Sequence, residues 1–345
     1  MLAEPRDGGR EAEHVAGMIE RPRFEGRKVA VTGAGGFIGN AICRGLRAEG
    51  AEVIGAELNP ETAPLVHEAG ASFEACDITN RAALDRVLQG IDLLVHTAAH
   101  VREWGTMEDF VRVNVEGTRN VLDAAEGAGV DRVLHISSVV VYGYDDPAEQ
   151  PEDVYHRTYG IPYIDTKSAA DALACRRGAV VIRPGDVYGP RSVPWVIRPL
   201  DLAKAGQLVL PGKGDGIMLP LYVDDLVEAV ALGLLEGRGG RPYAAWDGEP
   251  VTFEDYFNRL AGLVDGRPAR RMPRPLLAGV AAAMEAVAGL RGSPPAFSRN
   301  AITFIDRRGT VSTERIRTEL GWEPRVTLDE GFGRVERWAR TEGMI

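Results

Sequence analysis

Apolar and polar residues alternate between two periods along the first half of the chain. Lys28 to Thr32 is a short apolar run with Val29, Ala30 and Val31 inside, the length and composition of a buried strand. It leads straight into glycines at 33, 36 and 39, and Phe37, Ile38, Ile42 and Leu46 then recur at near-helical spacing. The same switch repeats. Ala51 to Ala56 reads as a second strand ending at Glu57, and Ala71 to Cys76 as a third, followed by Asp77 and Ile78. A helix is predicted over Arg81 to Leu88, with Asp77 or Thr79 as its cap. Asp92 to Ala99 is a fourth strand, apolar enough for both faces to be covered, as in parallel sheets. Met107 to Ala128 reads as one long helix containing Asn114. Arg132 begins a fifth strand that ends in Ser137 and Ser138, Ile164 to Arg176 is a helix, and Ala179 to Arg183 is a sixth strand. This alternation predicts an α/β fold, a doubly wound parallel sheet with ligands at the strand C-termini. The glycines, Glu57 and Ser138 all fall on that edge.

The second half is less regular. Pro194 to Gly206, Thr252 to Val264 and Pro275 to Leu290 read as helices, separated by Pro/Gly-rich turns such as Leu210 to Gly216. The stretch from Pro275 to Leu290 is the most apolar in the chain, yet it is shorter than the ~20 residues a spanning helix needs and carries Glu285. It is read as a helix packed on a groove, with a membrane contact as the alternative. Asp145 to Gly160, with Tyr155, His156 and Tyr159, is either a cover over a cleft or a plain surface loop.

Composition narrows the function. At 345 residues, 45% hydrophobic and 26% charged, the chain can bury one large core with a smaller part attached. A net charge of −10 and the lack of a basic stripe argue against a nucleic-acid partner. Cys43, Cys76 and Cys175 are far apart and odd in number, which suggests buried thiols in a reducing compartment, hence the cytoplasm. Six histidines with no HExxH or Cys/His cluster predict no metal. Residues 1–25 are polar and mixed in charge, neither signal peptide nor span. They read as a disordered leader, and translation could begin at Met18.

Strand, glycine turn and helix form the setting in which a dinucleotide pyrophosphate is held, because the helix N-terminus offers unpaired N–H groups to phosphate. The spacing here is GxxGxxG, and an ordinary turn is the alternative. Glu57, about 20 residues further on, can accept both ribose hydroxyls and would repel a 2′-phosphate. No Arg or Lys lies between Glu57 and Arg81 to take that phosphate, so NAD is favoured over NADP. Asp77 can accept from the adenine amino group while Ile78 packs on the ring. The small pair Ala98 and Ala99 lets a cofactor approach the backbone. Tyr163 and Lys167 are four apart on a helix, so phenol and ammonium face the same way. Bringing a tyrosine pKa from about 10 to about 7 takes roughly 4 kcal/mol. A nearby lysine and an oxidised nicotinamide can supply that stabilisation. Tyr163 then exchanges a proton with a substrate hydroxyl, and Ser138 holds the same oxygen.

With TGAGGFIG, VNVEGTRNVLDAA, HISSVVVYG, YIDTK, VIRPGDVYGP, YVDDL and ELGWEP in place, the chain from about Gly26 to Trp338 resembles the extended short-chain dehydrogenase/reductases, the NAD-dependent epimerase/dehydratase group. The resemblance implies Ser138, Tyr163 and Lys167 as the catalytic group. Asn114 is implied as a fourth member, acting through a helix distortion and a water. It further implies cofactor contacts from Gly33, Gly36, Phe37, Ile38, Gly39, Glu57, Asp77, Ile78 and Ala98, with Lys167 on the nicotinamide ribose and Pro184 and Val187 beside the nicotinamide. It implies a Rossmann domain over 26–182 and a smaller substrate domain over 183–345, some of whose segments return to the main sheet. A small-molecule substrate would occupy the cleft, and a homodimer would form through the helices Met107 to Ala128 and Ile164 to Arg176.

Within that family the sequence departs from the sugar-nucleotide pattern. No basic residue lies between Lys213 and Asp224, and Gly185-Asp186 stands where an Asn is usual. Arg183-Pro184-Gly185 and the Glu103-Trp104-Gly105 turn resemble the 3β-hydroxysteroid dehydrogenase branch instead, and Ile217 to Leu221 suits either an apolar pocket or a plain strand. The expectation is an NAD-dependent oxidoreductase interconverting a secondary alcohol and a ketone on a largely apolar, steroid-like substrate. The alternative is a sugar-nucleotide epimerase or dehydratase, for which Arg191 and Arg198 are the available anion contacts. Val139-Val140 replaces the Asp-Glu that usually follows the serine or threonine of the dehydratases.

Overall fold

The structure is a computed structural model that describes residues 22–345 apart from 103, 145–147, 155–157, 265, 294 and 296. The leader up to residue 21, with Met18, and also Glu103, Tyr155 and His156 lie outside the described residues.

Six strands follow the predicted order: β1 Lys28–Thr32, β2 Glu52–Glu57, β3 Ser72–Ala75, β4 Leu93–His96, β5 Arg132–Ile136 and β6 Val180–Pro184. A seventh, Pro242–Ala245, pairs with β6 at the sheet edge, giving the order seventh–β6–β5–β4–β1–β2–β3. Every pairing in this sheet is parallel. The order reverses between β1 and β4, which opens a crevice at the C-terminal edge where such sheets hold ligands. All residues of β4 and β6 are buried, because helices cover both faces.

The helices Phe37–Ala48 and Val223–Glu236 pack on each other over one face, so a segment from the second half completes this layer. On the other face lie the helix predicted from Met107 and the helix Pro162–Arg176. The first of these is not uniform. It runs α-helical over Met107–Phe110, widens to a π-helical turn over Val111–Gly117 and continues α-helical over Thr118–Ala128. Asn80 caps the helix Arg81–Val87 by accepting from Ala83 N–H, so neither Asp77 nor Thr79 does so.

Beyond β6, the chain pairs Asp186–Tyr188 with Pro220–Tyr222, and Ile217–Met218 with Val251–Thr252. Met218, Leu219 and Leu221 are buried in the core here, so Ile217 to Leu221 is strand and core more than pocket wall. Helices Phe253–Leu263, Arg274–Arg291 and Arg299–Ile305 complete this lobe. The helix Arg274–Arg291 buries Leu277, Ala281 and Ala288, yet Leu276, Val280, Met284, Val287 and Leu290 are exposed. It covers its groove with one narrow face only. Cys43 and Cys76 are buried as expected, while Cys175 is only half-buried.

Candidate active site

The glycine loop joins β1 to the helix Phe37–Ala48, and each glycine meets a different demand. Gly33 has φ of +73°, and a Cβ there would lie 2.8 Å from Thr97 Oγ1 and 3.0 Å from Ala98 Cα. Gly39 is buried so close to the Gly33 carbonyl that a Cβ has no space. Gly36 differs. It is exposed, and the nearest atom to a Cβ would be Gly33 O at 3.3 Å. It also occupies the N-cap with no side-chain cap, so the first-turn N–H groups are free for an anion, as a pyrophosphate requires. Phe37 and Ile38 pack partly buried on the core behind it. Arg191, offered above as a substrate-anion contact, instead reaches back with its guanidinium 3.4 Å from Asn40 Oδ1 in the same helix; its own φ is +73°.

Glu57 ends β2 beside this loop. Its carboxylate accepts from Gly35 N–H at 3.0 Å, Leu58 N–H at 2.8 Å and Asn59 N–H at 3.1 Å, which fixes it at the loop's edge. Asp77 holds Thr79 through its backbone and hydroxyl, both at 2.8 Å to Oδ1. Ile78 is buried against Gly117. At the end of β4, the Thr32 hydroxyl accepts from the amides of Thr97 and Ala98 at 3.2 and 3.3 Å and donates to His96 Nδ1 at 2.8 Å. His96 Nε2–H donates to Thr118 Oγ1 at 3.0 Å, and Thr118 donates to Asn114 O at 2.6 Å. Burial keeps this imidazole neutral, with its pKa near 3.

Asn114 lies inside the π-helical turn and is buried. Its Oδ1 accepts from His100 N–H at 2.6 Å, and its Nδ2 donates to His100 O at 3.2 Å and Thr166 Oγ1 at 3.1 Å. Asn114 thus ties the segment after β4 to the helix bearing Tyr163 and Lys167.

That helix starts at Pro162, whose missing N–H costs nothing at the first helical position. The Tyr163 hydroxyl is hydrogen-bonded to Ser138, the residue that follows β5 and caps the short turn Val139–Tyr142. Burial pushes the phenol up to about 12, while the Ser138 hydrogen bond pulls the other way and the Asp186 charge adds to the rise. One turn on, Lys167 is buried with Nζ donating to Ile136 O at 2.8 Å. Burial lowers its ammonium to about 8, partly opposed by Asp171. Ser138, Tyr163 and Lys167 therefore gather at the C-terminal end of β5, with Asn114 behind Thr166. Pro184 ends β6, and Val187 two strand positions beyond Gly185 is buried in the core.

Several residues near Tyr163 had no sequence signal. Tyr144 packs with Tyr163 and edge-on against Phe304 at 5.5 Å between ring centroids, and Phe304 in turn contacts Trp195 at 5.5 Å and Phe253 at 6.2 Å. These rings make an aromatic wall. Asp186, expected only as a departure from Asn, forms a buried ion pair with Arg307 and accepts from Leu219 N–H at 2.9 Å. Arg183 is fully buried and bidentate on Asp171 at 2.8 Å, with Nη1 on Tyr142 Oη and Glu152 O, so it is a structural cation. Glu152 also accepts from Ala244 and Arg315 N–H, which pins this part of the segment from 145 to 160 to the body.

The sequence pattern of the NAD dependent epimerase/dehydratase family matches residues 29–246. A 2-alkyl-3-oxoalkanoate reductase of Stenotrophomonas maltophilia is 29% identical over 332 residues, covering 90% of this chain and 98% of that protein. A dTDP-glucose 4,6-dehydratase of Streptomyces niveus is 30% identical over 343 residues, covering 91% and 93%. Among solved structures, a dTDP-glucose 4,6-dehydratase of Streptomyces venezuelae with NAD bound superposes with a TM-score of 0.75 at 26% identity, covering 91% of this chain and 97% of that one.

Proposed function

The chain belongs to the NAD dependent epimerase/dehydratase family, with NAD as its cofactor, and from that premise we propose that it reduces a ketone to a secondary alcohol on a largely apolar substrate. The observation that carries this reading is the Ser138–Tyr163 hydrogen bond set against the Tyr144–Phe304–Trp195 wall. Tyr163 donates its phenolic proton to the substrate oxygen as that oxygen gains charge. Ser138 donates a hydrogen bond to the same oxygen, and the Lys167 ammonium stabilises the phenolate left behind. When bound, NAD supplies or accepts the hydride. Gly36 and the first turn of Phe37–Ala48 would hold its pyrophosphate and Glu57 its ribose.

Burial holds the Tyr163 phenol protonated, the form that donates to a ketone oxygen during reduction. The relative named as a 2-alkyl-3-oxoalkanoate reductase supports a substrate with a ketone beside a branched alkyl chain. A homodimer through Met107 to Ala128 and Pro162–Arg176 belongs to the same proposal.

The second reading is a sugar-nucleotide dehydratase or epimerase, favoured by the similarity to the Streptomyces niveus protein. Against it, Val139 and Val140 are apolar and buried where a dehydratase uses acid groups. A thermal-unfolding scan of the NAD-saturated protein with UDP, dTDP, GDP and CDP tests the choice. A nucleotide at 100 times its Kd stabilises the native state by about 2.7 kcal/mol, a rise of a few degrees. The proposed function expects no rise with any of them; a clear rise with one assigns a sugar nucleotide.

A further inference from the structure

We propose that the exposed face of the helix Arg274–Arg291 docks onto an anionic lipid surface. Leu276, Val280, Met284, Val287 and Leu290 recur at spacings that put them on one side of the helix, and Leu276 and Leu290 are 58% and 90% exposed. The adjoining side, through Leu277 and Ala281, packs on Ile302. A stripe this regular and this exposed calls for a partner.

Charge identifies the partner. The whole chain carries −10, yet between Gly266 and Arg299 there are six arginines and one acidic residue, Glu285. All six arginines (267, 270, 271, 274, 291 and 299) are exposed. Arg271, Arg274 and Arg299 pair with Glu254, Asp306 and Glu285. Arg267, Arg270 and Arg291 make no ion pair among the described residues. An apolar helix face in a segment that carries three exposed arginines without ion pairs, within an otherwise acidic protein, is complementary to anionic headgroups over acyl chains. At about 27 Å from 1.5 Å per residue, and with no helix among the described residues long and apolar enough to cross a membrane, it would lie in the interface plane.

Location gives the docking a use. Glu285 and Ala288 of this helix line an open cleft of about 530 Å³ that is also lined by Trp104, after β4, by Ser298 and Asn300, and by Thr303, next to Phe304 of the aromatic wall. Docking by the exposed stripe would set the mouth of this cleft beside the bilayer.

Co-sedimentation of the full-length protein with phosphatidylcholine vesicles, with and without phosphatidylglycerol, tests this. The expected result is binding to the phosphatidylglycerol vesicles that weakens with salt. Binding should fall at least about tenfold in Leu276→Asp/Met284→Asp/Leu290→Asp. It should fall several-fold in Arg270→Glu/Arg291→Glu, which leaves the apolar face intact and guards against misfolding. No binding by the wild type, or equal binding by both variants, overturns the proposal. So does a light-scattering dimer that the triple variant dissociates without any vesicle binding, since a second copy would then cover the stripe. Vesicle binding is read without substrate, so it stands or falls apart from the ketone reading.

Discussion

In the proposed reaction Tyr163 is the proton donor, and its surroundings make distinct demands on experiment. Tyr163→Phe removes the proton donor and should lower kcat for ketone reduction by about 10²–10⁴-fold with NAD affinity unchanged. Steady-state NADH consumption and cofactor titration check both halves. For oxidation the phenol must first lose its proton, and from about 12 that becomes tenfold easier per pH unit. The oxidation rate should therefore climb with pH from 7 to 8, and reduction should fall above 8 as Lys167 loses the charge that stabilises the phenolate. Lys167 has the opposite linkage. Its pKa falls from about 10.4 unfolded to about 8 folded, so burial of its charge destabilises the protein below pH 8 by roughly 3 kcal/mol, and this cost disappears as pH rises through 8 to 10.4. The unfolding free energy of wild type relative to Lys167→Met should thus increase across that window; a constant difference would contradict the assignment. That Ser138, Tyr163 and Lys167 come together was legible because Ser138 ends a strand and Tyr163 and Lys167 lie four apart at the start of a helix. Arg307 was not: it meets Asp186 across 121 positions, and nothing local distinguishes it from other surface-type arginines.

At the scale of elements, the glycine loop separates binding from folding. Gly36→Ala sets its methyl 3.3 Å from Gly33 O, a tight fit that a shift of a few tenths of an ångström relieves, so it should melt within a few degrees of wild type yet bind NAD at least about tenfold more weakly. Gly39→Ala places a methyl on the Gly33 carbonyl and should cost about 1–3 kcal/mol of stability. Isothermal titration and thermal scans separate the two. Asn114→Ala strips partners from the His100 amide and carbonyl and should cost about 2–4 kcal/mol in urea unfolding. The first six strands were readable because each is a short apolar run bounded by turns. The π-helical turn leaves no mark in the periodicity, since one wider turn barely disturbs a 3.6-residue pattern; only the family resemblance implied a helix distortion at Asn114. Pro242–Ala245 was missed as a strand because four residues, PYAA, carry no alternation and gain their partner only from β6.

For the whole molecule, one buried cation ties the sheet to the site. Arg183 on β6 joins Asp171 of the helix Pro162–Arg176, Tyr142 of the turn after Ser138, and Glu152 O. Arg183→Leu leaves the buried Asp171 without its bidentate partner and should cost about 3–5 kcal/mol, read by chemical denaturation. The second half was less legible for the same reason: its helices are packed by long-range pairs such as Asp186 with Arg307 and Asp225 with the Arg325 and Val326 amides. The central claim is that Ser138, Tyr163 and Lys167 reduce a ketone on an apolar body. The most direct measurement is NADH oxidation by wild type and Tyr163→Phe with a 2-alkyl-3-oxoalkanoate, beside dTDP-glucose as a contrast. The account predicts NADH loss with the oxo acid, abolished in Tyr163→Phe, and no product from dTDP-glucose. Conversion of dTDP-glucose with no net change in NADH, and none with the ketone, would contradict it.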